Sequence, residues 1–189
     1  MRAIIGDKDV LRKVAENFIE YYEGRVNEGS TVTGKAIFVC ADRFIAWDFY
    51  KIVKEPRPEW VELKKPPDNV TVTEDQLKKL RPMPMMKMIM TRGKNDPKEL
   101  YYMLGTDADR TADAVQFKDI NSNFKIAIVV DMWLTGFDVP FLDTMYIDKL
   151  LVHSITLSRL SRVSTVLSRV RITALSLISS VLSTEWIWR

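Results

Sequence analysis

Apolar positions recur along the chain with two periods, one typical of helices and one typical of strands. Over residues 9–24 they recur at helical spacing behind Asp7 and Asp9 as candidate N-caps, so we expect an amphipathic helix there. Residues Lys35–Cys40, which are apolar after the lysine, predict a strand, and Asp42 is placed to cap a second helix after it. Helix, strand and helix are therefore predicted in this order.

The same pattern continues after residue 84. Methionines at 86, 88 and 90 alternate with Lys87 and Ile89, as a strand requires, and we expect them to fill the core. Asp96 followed by Pro97 is typical of a helix start, with Asp96 as the cap, and Gly105 suits the end of that helix. The other predicted elements are helices over 97–104 and 111–117 and strands over 125–130 and 143–148. Alternating strands and helices indicate an α/β fold with a mostly parallel sheet and crossover helices.

Two regions depart from this pattern. Residues 54–84 hold six of the eight prolines together with many charges, which predicts an irregular, proline-rich surface insertion. Residues 150–189 hold nine of the eleven serines and only one of the 25 acidic residues, so this Ser/Arg/Leu-rich tail is atypical of one compact domain. Our hypothesis is that the tail derives from a shifted reading frame, a damaged gene or a misassigned stretch, and that the fold is incomplete there.

Composition narrows the function classes only slightly. A chain of 189 residues with 47% hydrophobic residues suits one globular domain, and a net charge of +3 permits DNA binding without proving it. Cys40 cannot form an internal disulfide, so we expect core filling and a reducing, cytoplasmic location. His153 with one cysteine does not make a zinc site, and we expect no structural metal. We also expect no secretory signal and no membrane span.

Chemistry is expected where the predicted strand 125–130 ends in a polar turn. Asp131, Thr135, Gly136 and Asp138 crowd the positions beyond the carboxyl end of this predicted strand. In open α/β sheets, ligands bind in the crevice at that end of the strands.

Three segments carry a resemblance to a known family. The segment Asp131-Met-Trp-Leu-Thr-Gly-Phe-Asp-Val-Pro140 with Asp143-Thr-Met-Tyr-Ile-Asp-Lys149 resembles helicase motif V, most closely that of the motor (R) subunit of type I restriction enzymes. Gly34-Lys-Ala-Ile-Phe-Val-Cys-Ala-Asp-Arg43 resembles motif IV of that family, and Met88-Ile-Met-Thr-Arg92 with Asp96-Pro-Lys-Glu-Leu100 supports it. The resemblance covers residues 1–149. It implies a second RecA-like lobe of a superfamily 2 helicase, a three-layer α/β domain.

The resemblance also implies cofactors and partners. The family is an ATP-hydrolysing, site-specific deoxyribonuclease whose motor moves along the double-stranded DNA backbone. ATP and Mg²⁺ are held mainly by a first lobe, and this sequence has neither a G-x-x-x-x-G-K-[ST] loop nor a DEAD-like acidic box. We therefore expect little ATP hydrolysis by the chain alone. The expected partners are the N-terminal motor lobe, the nuclease domain, and the specificity and modification subunits.

Motif V supplies the first candidate site residues. By resemblance it grips DNA, with the hydroxyl of Thr135 and the backbone N–H of Gly136 donating to a phosphate. Asp138 would couple that grip to the nucleotide, by accepting from the ribose or by holding a motif VI arginine. The structural alternative is a tight turn with an Asx hydrogen bond. Trp133 and Phe137 either stack on a base or pack beneath the loop, and packing is the favoured interpretation.

The loops after two other strands supply further candidates. Asp42 and Arg43 follow the first strand, and Thr91 and Arg92 follow the methionine-rich strand, which predicts that they share an edge with motif V. Arginine and threonine there can contact the DNA backbone without reading base identity. The alternatives are that Asp42 is only a helix cap and that Arg92 is only a solvated charge.

Two arginines of the tail are the candidates for the arginine finger. Arg159 and Arg162 have the three-residue spacing of the paired motif VI arginines and would share a helical face. The glutamine that precedes those arginines in the family is absent, and a solvated arginine face is the alternative.

Two other function classes stay open. A strand ending in Asp131 imitates a phosphoacceptor receiver domain, although the acidic pair such a site needs is reduced to Asp42. A non-catalytic interaction domain or remnant is the third.

Overall fold

The computed structural model describes residues 7–28, 34–66, 80–134, 137–148 and 171–174. Its helices are α1 Lys8–Asn27, α2 Arg43–Lys54, α3 Lys98–Met103 and α4 Asp107–Lys118, with a short 3-10 helix at Pro58–Trp60. Its strands are β1 Lys35–Cys40, β2 Met86–Ile89, β3 Ile126–Val129, β4 Leu142–Asp148 and β5 Arg171–Ala174.

The five strands form one sheet in the order β2-β3-β1-β4-β5, and every pairing is parallel. The parallel sheet predicted from alternating helices and strands is confirmed. Strand β3 lies between β1 and β2, with Val129 beside both Val39 and Ile89. The carboxyl ends of these three strands therefore end side by side at one edge of the sheet.

Helices cover both faces of the sheet, which confirms the three-layer α/β class. Alternate residues of each strand point to opposite faces, so each face builds its own apolar cluster. On one face, α1 and α2 pack over β1, β2, β3 and β4, and the fully buried Cys40 belongs to this cluster, as expected for core filling. On the other face, Phe117 of α4 and the segment after β3 pack over the sheet. Met86, Met88 and Met90 all fill the first cluster, as predicted.

Helix α1 is part of the core. Phe18 is fully buried, and its ring makes edge contacts with Phe38 at 5.0 Å and with Tyr146 at 4.9 Å. At the other end of the helix the Tyr22 hydroxyl donates to the Gly34 carbonyl at 2.8 Å, and burial raises the pKa of this hydroxyl. These contacts fasten α1 to the amino edge of the sheet.

Two predicted helix caps are confirmed and one is wrong. Asp7 accepts from the backbone N–H of Asp9 at 2.9 Å, and Asp42 accepts from Phe44 at 2.8 Å. Asp96, predicted to cap α3, accepts instead from the N–H of Gly93 at 2.6 Å, and α3 starts after Pro97 without a side-chain cap. The Asp96 side chain is turned away from α3 because the loop before it offers the N–H of Gly93 and α2 offers the cation of Arg43.

Helix α4 begins four residues earlier than the predicted Thr111. Thr106 and Asp109 form a capping box, in which each side chain accepts from the backbone N–H of the other. The hydrogen bonds from Thr106 lower the pKa of the Asp109 carboxyl. This box uses Asp where Glu or Gln is usual.

The proline-rich region is described only at its two ends. Residues 58–60 form the 3-10 helix, and Lys64 pairs with Met83 in an isolated antiparallel bridge. Trp60 and Met83 are buried, so both ends of the region belong to the core. Residues 67–79 lie outside the described residues.

Charged side chains also enter the interior. Asp113 of α4 is fully buried and accepts from Arg81 at 2.6 Å and from Lys87 at 2.5 Å. Lys35 is fully buried and donates to the Phe124 carbonyl at 2.6 Å. Burial, with Lys125 nearby, lowers the pKa of Lys35 to about 7.

Candidate functional site

The carboxyl edge of β2, β3 and β1 brings the candidate residues to one side of the molecule. Because Ile89, Val129 and Val39 are in register, the segments that follow each strand start at the same level. They are residues 41–43 after β1, 90–96 after β2 and 130–139 after β3. This is the edge at which open parallel sheets bind ligands.

Asp42 and Arg43 are engaged within the protein. Asp42 caps α2, accepting from the N–H groups of Phe44 at 2.8 Å and Ile45 at 3.0 Å. The Arg43 guanidinium reaches the loop after β2, where it donates to the Thr91 carbonyl and lies 3.0 Å from Asp96. Arg43 therefore joins two edge loops.

The loop after β2 is closed tightly around this guanidinium. A Cβ on Gly93 would lie 1.7 Å from Nη1 of Arg43 and 2.9 Å from Oδ1 of Asp96. Only a residue without a side chain fits there while the ion pair stays in place. The sequence alone does not predict this contact, because a single glycine such as Gly93 in a polar segment is typical of any turn.

Arg92 rests on α3. Its Nε donates to the Tyr101 carbonyl at 3.0 Å, and the guanidinium lies 4.4 Å from the centre of the Tyr101 ring. Arg92 is half-buried, while the neighbouring Thr91 is exposed. The contact with Tyr101 orients the guanidinium at the edge and leaves part of it accessible.

The segment after β3 leaves the carboxyl edge and returns to the start of β4, which lies at the amino edge because the two strands are parallel. Leu134 and Val139 are buried and anchor it against the sheet. The rings of Trp133 and Phe137 stack on each other at 4.1 Å with an angle of 14° between their planes. Both pack against the cluster that contains Phe117, in agreement with the packing interpretation.

Trp133 has an unusual backbone. Its φ is +64°, and it is the only described residue other than glycine with a positive φ. A bulky side chain in this conformation costs on the order of 1–3 kcal/mol and persists where its surroundings impose it. The ring contacts of Trp133 with Phe137 and Phe117, the latter at 5.3 Å, supply such surroundings.

Asp138 lies at the end of this segment and is exposed. Its carboxylate has no hydrogen bond or ion pair within the part of the chain that the structure describes. Thr135 and Gly136 lie outside the described residues, as do His153, Arg159 and Arg162. Of the predicted site residues, the structure thus brings together Asp42, Arg43, Thr91 and Arg92.

Over the described ranges, no group of three or more His, Cys, Asp or Glu is placed to hold a metal ion. No helix in those same ranges is long and apolar enough to cross a bilayer.

Comparison with known proteins identifies the family of this chain. The family model described as type I restriction enzyme subunit R domain 3 matches residues 33–173. This chain belongs to the type I restriction enzyme subunit R family. The family match runs past Lys149, where the resemblance seen in the sequence ends, and reaches residue 173 within β5.

Two relatives of this chain are named as endonuclease subunits of type I restriction enzymes, one of them as putative. The type I restriction enzyme HindI endonuclease subunit of Haemophilus influenzae is 32% identical over 146 residues, which are 77% of this chain and 12% of that protein. The putative type I restriction enzyme MjaIXP endonuclease subunit of Methanocaldococcus jannaschii is 31% identical over 168 residues, 88% of this chain and 13% of that protein. The chain therefore spans about one eighth of the length of these relatives.

Proposed function

We propose that this chain is the second helicase lobe of the ATP-dependent, DNA-translocating R subunit of a type I restriction endonuclease. The observation that supports the proposal is the common edge of β2, β3 and β1, where the segment resembling motif IV ends and the segment resembling motif V begins. Thr91, Arg92 and the segment after β3 gather there in a chain whose family matches that subunit. A helicase lobe needs such an edge to touch DNA and nucleotide together.

The DNA contact is made to the backbone of the duplex. Thr91 is exposed and can donate to a phosphate, and Arg92 is held by Tyr101 with part of its guanidinium accessible. Thr135 and Gly136 complete the contact with a hydroxyl and a backbone N–H. These groups reach phosphates and not base edges, so the lobe binds without regard to sequence.

Asp42 and Arg43 contribute indirectly. Asp42 starts α2, and Arg43 holds the loop after β2 through Thr91 and Asp96. In this proposal they position Thr91 and Arg92 at the edge. Their own polar atoms are directed toward protein partners.

The nucleotide contact of this lobe is made by Asp138, with Arg159 and Arg162 as arginine finger candidates. An exposed carboxylate without a partner among the described residues fits a ribose hydroxyl or an arginine as its ligand. In the complete motor, ATP supplies the phosphoryl group that is transferred, and Mg²⁺ neutralises negative charge on the phosphates. The phosphate cradle belongs to the N-terminal lobe, so the chain alone does not hydrolyse ATP.

The remaining partners follow from the same assignment. The motor works beside a nuclease domain and with specificity and modification subunits that recognise and methylate the site. Both relatives are named as endonuclease subunits, and the chain corresponds to a small part of each. Nuclease activity therefore belongs to the complete subunit.

The test measures binding of the 189-residue chain to a random-sequence DNA duplex by fluorescence anisotropy at a series of salt concentrations. We expect weak binding that falls steeply with salt, because bound phosphates release counterions. Arg92→Ala should reduce the slope of log K against log salt by about one. Arg12→Ala, which removes an equal charge from the exposed pair between Arg12 of α1 and Glu55 at the end of α2, is the matched control and should leave the slope unchanged. A flat salt response of the unsubstituted chain contradicts the proposal.

A further inference from the structure

Helix α3 carries two adjacent tyrosines that lie outside the core. Tyr102 is 75% exposed, the largest fraction among the large hydrophobic side chains that the structure describes, and Tyr101 is 40% exposed. Their ring centres are 5.9 Å apart, and the ring planes are at 90° to each other. Tyrosine combines an apolar ring with a polar hydroxyl, which suits a surface that contacts a partner in water. Helix α3 therefore presents an aromatic surface to solvent.

The two rings differ in their partners. Tyr101 holds Arg92, because its carbonyl accepts from Nε at 3.0 Å and its ring centre lies 4.4 Å from the guanidinium. The Tyr102 hydroxyl has no hydrogen bond within the part of the chain that the structure describes. Since Arg92 belongs to the loop after β2, these contacts place Tyr102 next to the carboxyl edge of the sheet. Tyr102 keeps both its ring and its hydroxyl available for a partner.

Lys98 shares a face of α3 with Tyr102. The two residues are four positions apart, so their side chains are neighbours on the helix surface. Lys98 is exposed, and its ammonium has no ion pair with another described residue. A cation, a ring and a hydroxyl can therefore contact neighbouring groups of one partner.

The charge of the segment around α3 favours an anionic partner. Residues 91–103 contain two carboxylates and three cations, which are Arg92, Lys94 and Lys98. Asp96 is paired with Arg43 and is only 1% exposed, so Glu99 is the one carboxylate of the segment that remains in solvent. The phosphates of a DNA backbone accept from both ammonium and hydroxyl groups, so they match the charge and the free hydroxyl together.

We propose that Tyr102 and Lys98 extend the DNA contact of the carboxyl edge onto α3. The Tyr102 hydroxyl donates to a phosphate, its ring packs against the neighbouring deoxyribose, and the Lys98 ammonium pairs with a further phosphate. This inference rests on the proposed function. These groups reach the backbone and not base edges, so the contact is independent of sequence.

The experiment measures binding of the 189-residue chain to a random-sequence DNA duplex by fluorescence anisotropy. Tyr102→Phe removes only the hydroxyl and keeps the ring beside Tyr101, so it should weaken binding about twofold to tenfold, the effect of one hydrogen bond. Tyr102→Ala also removes the ring and should weaken binding further. Neither change should alter the slope of log K against log salt, because no cation is removed. Tyr21→Ala, which removes a 58% exposed ring from α1, is the matched control and should bind like the unsubstituted chain.

Lys98→Gln tests the charge. It should weaken binding and reduce the slope of log K against log salt by about one. Lys54→Gln is the matched control, because Lys54 is an exposed lysine in the last turn of α2, at the opposite end of that helix from the carboxyl edge. This control should leave the slope unchanged.

A double substitution shows whether Tyr102 touches DNA itself or only supports Arg92 through Tyr101. Two direct contacts contribute independently, so Tyr102→Phe should weaken binding by the same factor in the Arg92→Ala background as in the unsubstituted chain. Absence of a further loss in that background overturns the direct contact. All these side chains are exposed, so urea midpoints should stay unchanged, which separates a lost contact from a lost fold.

Unchanged binding of Tyr102→Phe, Tyr102→Ala or Lys98→Gln overturns the inference, while the proposed function stands. A loss in Tyr102→Ala that is confined to single-stranded DNA would show stacking on an unpaired base, and it would overturn the backbone contact as well. An unsubstituted chain that does not bind DNA overturns the proposed function, and with it this inference.

Discussion

Nη1 of Arg43 lies 3.0 Å from Oδ1 of Asp96, whose side chain is only 1% exposed. The pair joins the start of α2, after β1, to the loop after β2, although β3 lies between these two strands in the sheet. The same guanidinium donates to the Thr91 carbonyl, so one side chain fastens the loop at two points. The segments after β1 and β2, which carry candidate site residues, are therefore linked to each other by Arg43.

Arg43→Ala should lower the free energy of unfolding by roughly 1–3 kcal/mol, because a buried carboxylate is left without its cation. Urea denaturation of the 189-residue chain measures this loss. Arg12→Ala is the matched control, since Arg12 and Glu55 are 60% and 66% exposed and lie 3.9 Å apart. Exposed pairs contribute little, so this control should show almost no change. Equal losses in the two variants would contradict the role given to Asp96.

Gly93→Ala should also destabilise the chain, since the new Cβ would lie 1.7 Å from Nη1 of Arg43 and the guanidinium must shift from its place beside Asp96. The loss should be smaller than that of Arg43→Ala, because the guanidinium is the far end of a flexible side chain and its charge stays near Asp96. In the Arg43→Ala background the further loss should be smaller, because the clashing group is gone.

Gly24→Ala is the control for the Gly93 substitution. A Cβ on Gly24, within α1, meets nothing within 4 Å, and alanine there should stabilise the chain by about 0.5–1 kcal/mol. Denaturant midpoints of the two variants should therefore shift in opposite directions. A stabilising Gly93→Ala would show that the loop is not closed around Arg43.

The stability of the chain should rise with pH because of Lys35. Burial lowers its folded pKa to about 7 from the ordinary 10.5, so the unfolded chain binds the extra proton between these two values. Stability therefore increases from about pH 7 to about pH 10.5, by on the order of 1.4 kcal/mol for each unit of pKa difference. Below about pH 7 Lys35 is protonated in both the folded and the unfolded chain, so it no longer makes stability depend on pH.

Urea denaturation across that pH range tests the assignment. Lys35→Met should be more stable at pH 7 and should lose most of the rise, while the pKa of Lys125, also lowered by burial, leaves a smaller one. Lys51→Met on the exposed side of α2 is the control and should keep the full rise. An unaltered rise in Lys35→Met would show that another group carries it.

Phe18→Ala should lower the free energy of unfolding by about 3–5 kcal/mol, since it empties the centre of the aromatic cluster between α1 and the sheet. Helix α1 precedes the residues matched by the family model, so this measures whether α1 belongs to the same folding unit. Tyr21→Ala, 58% exposed on the same helix, should cost little. A small loss in Phe18→Ala would mean that α1 docks only weakly.

Local patterns predicted the elements well. The strand at Lys35–Cys40 and the cap at Asp42 were predicted as they occur, and the predicted strand 143–148 begins one residue earlier, at Leu142. These features depend on apolar periodicity and on hydrogen bonds to near neighbours in the chain. The early start of α4 was missed because its capping box uses Asp109 in place of Glu or Gln.

Side-chain partners at the candidate site were not predictable in the same way. Asp96 followed by Pro97 has the local signature of a helix cap, but a cation from α2 and the N–H of Gly93 take its carboxylate. Arg92 has the signature of a solvated charge, and Tyr101 holds it. In each case the local pattern gives the expected interaction of an isolated segment. A side chain or backbone group that the fold brings close then interacts with the same residue instead.

The sequence by itself determined the helices and strands between residues 8 and 148 to within a few residues, apart from the 3-10 helix and the start of α4, and it determined that Asp42, Arg43, Thr91 and Arg92 follow strand ends. Periodicity and capping act over a few residues, and β5 was not predicted from them. Only the tertiary structure decided that β3 lies between β1 and β2, that Arg43 holds Asp96, and that Trp133 stacks on Phe137 against α4. The physical reason is that ion pairs and ring contacts act only over a few ångströms. Which side chains come that close depends on the order and register of the strands.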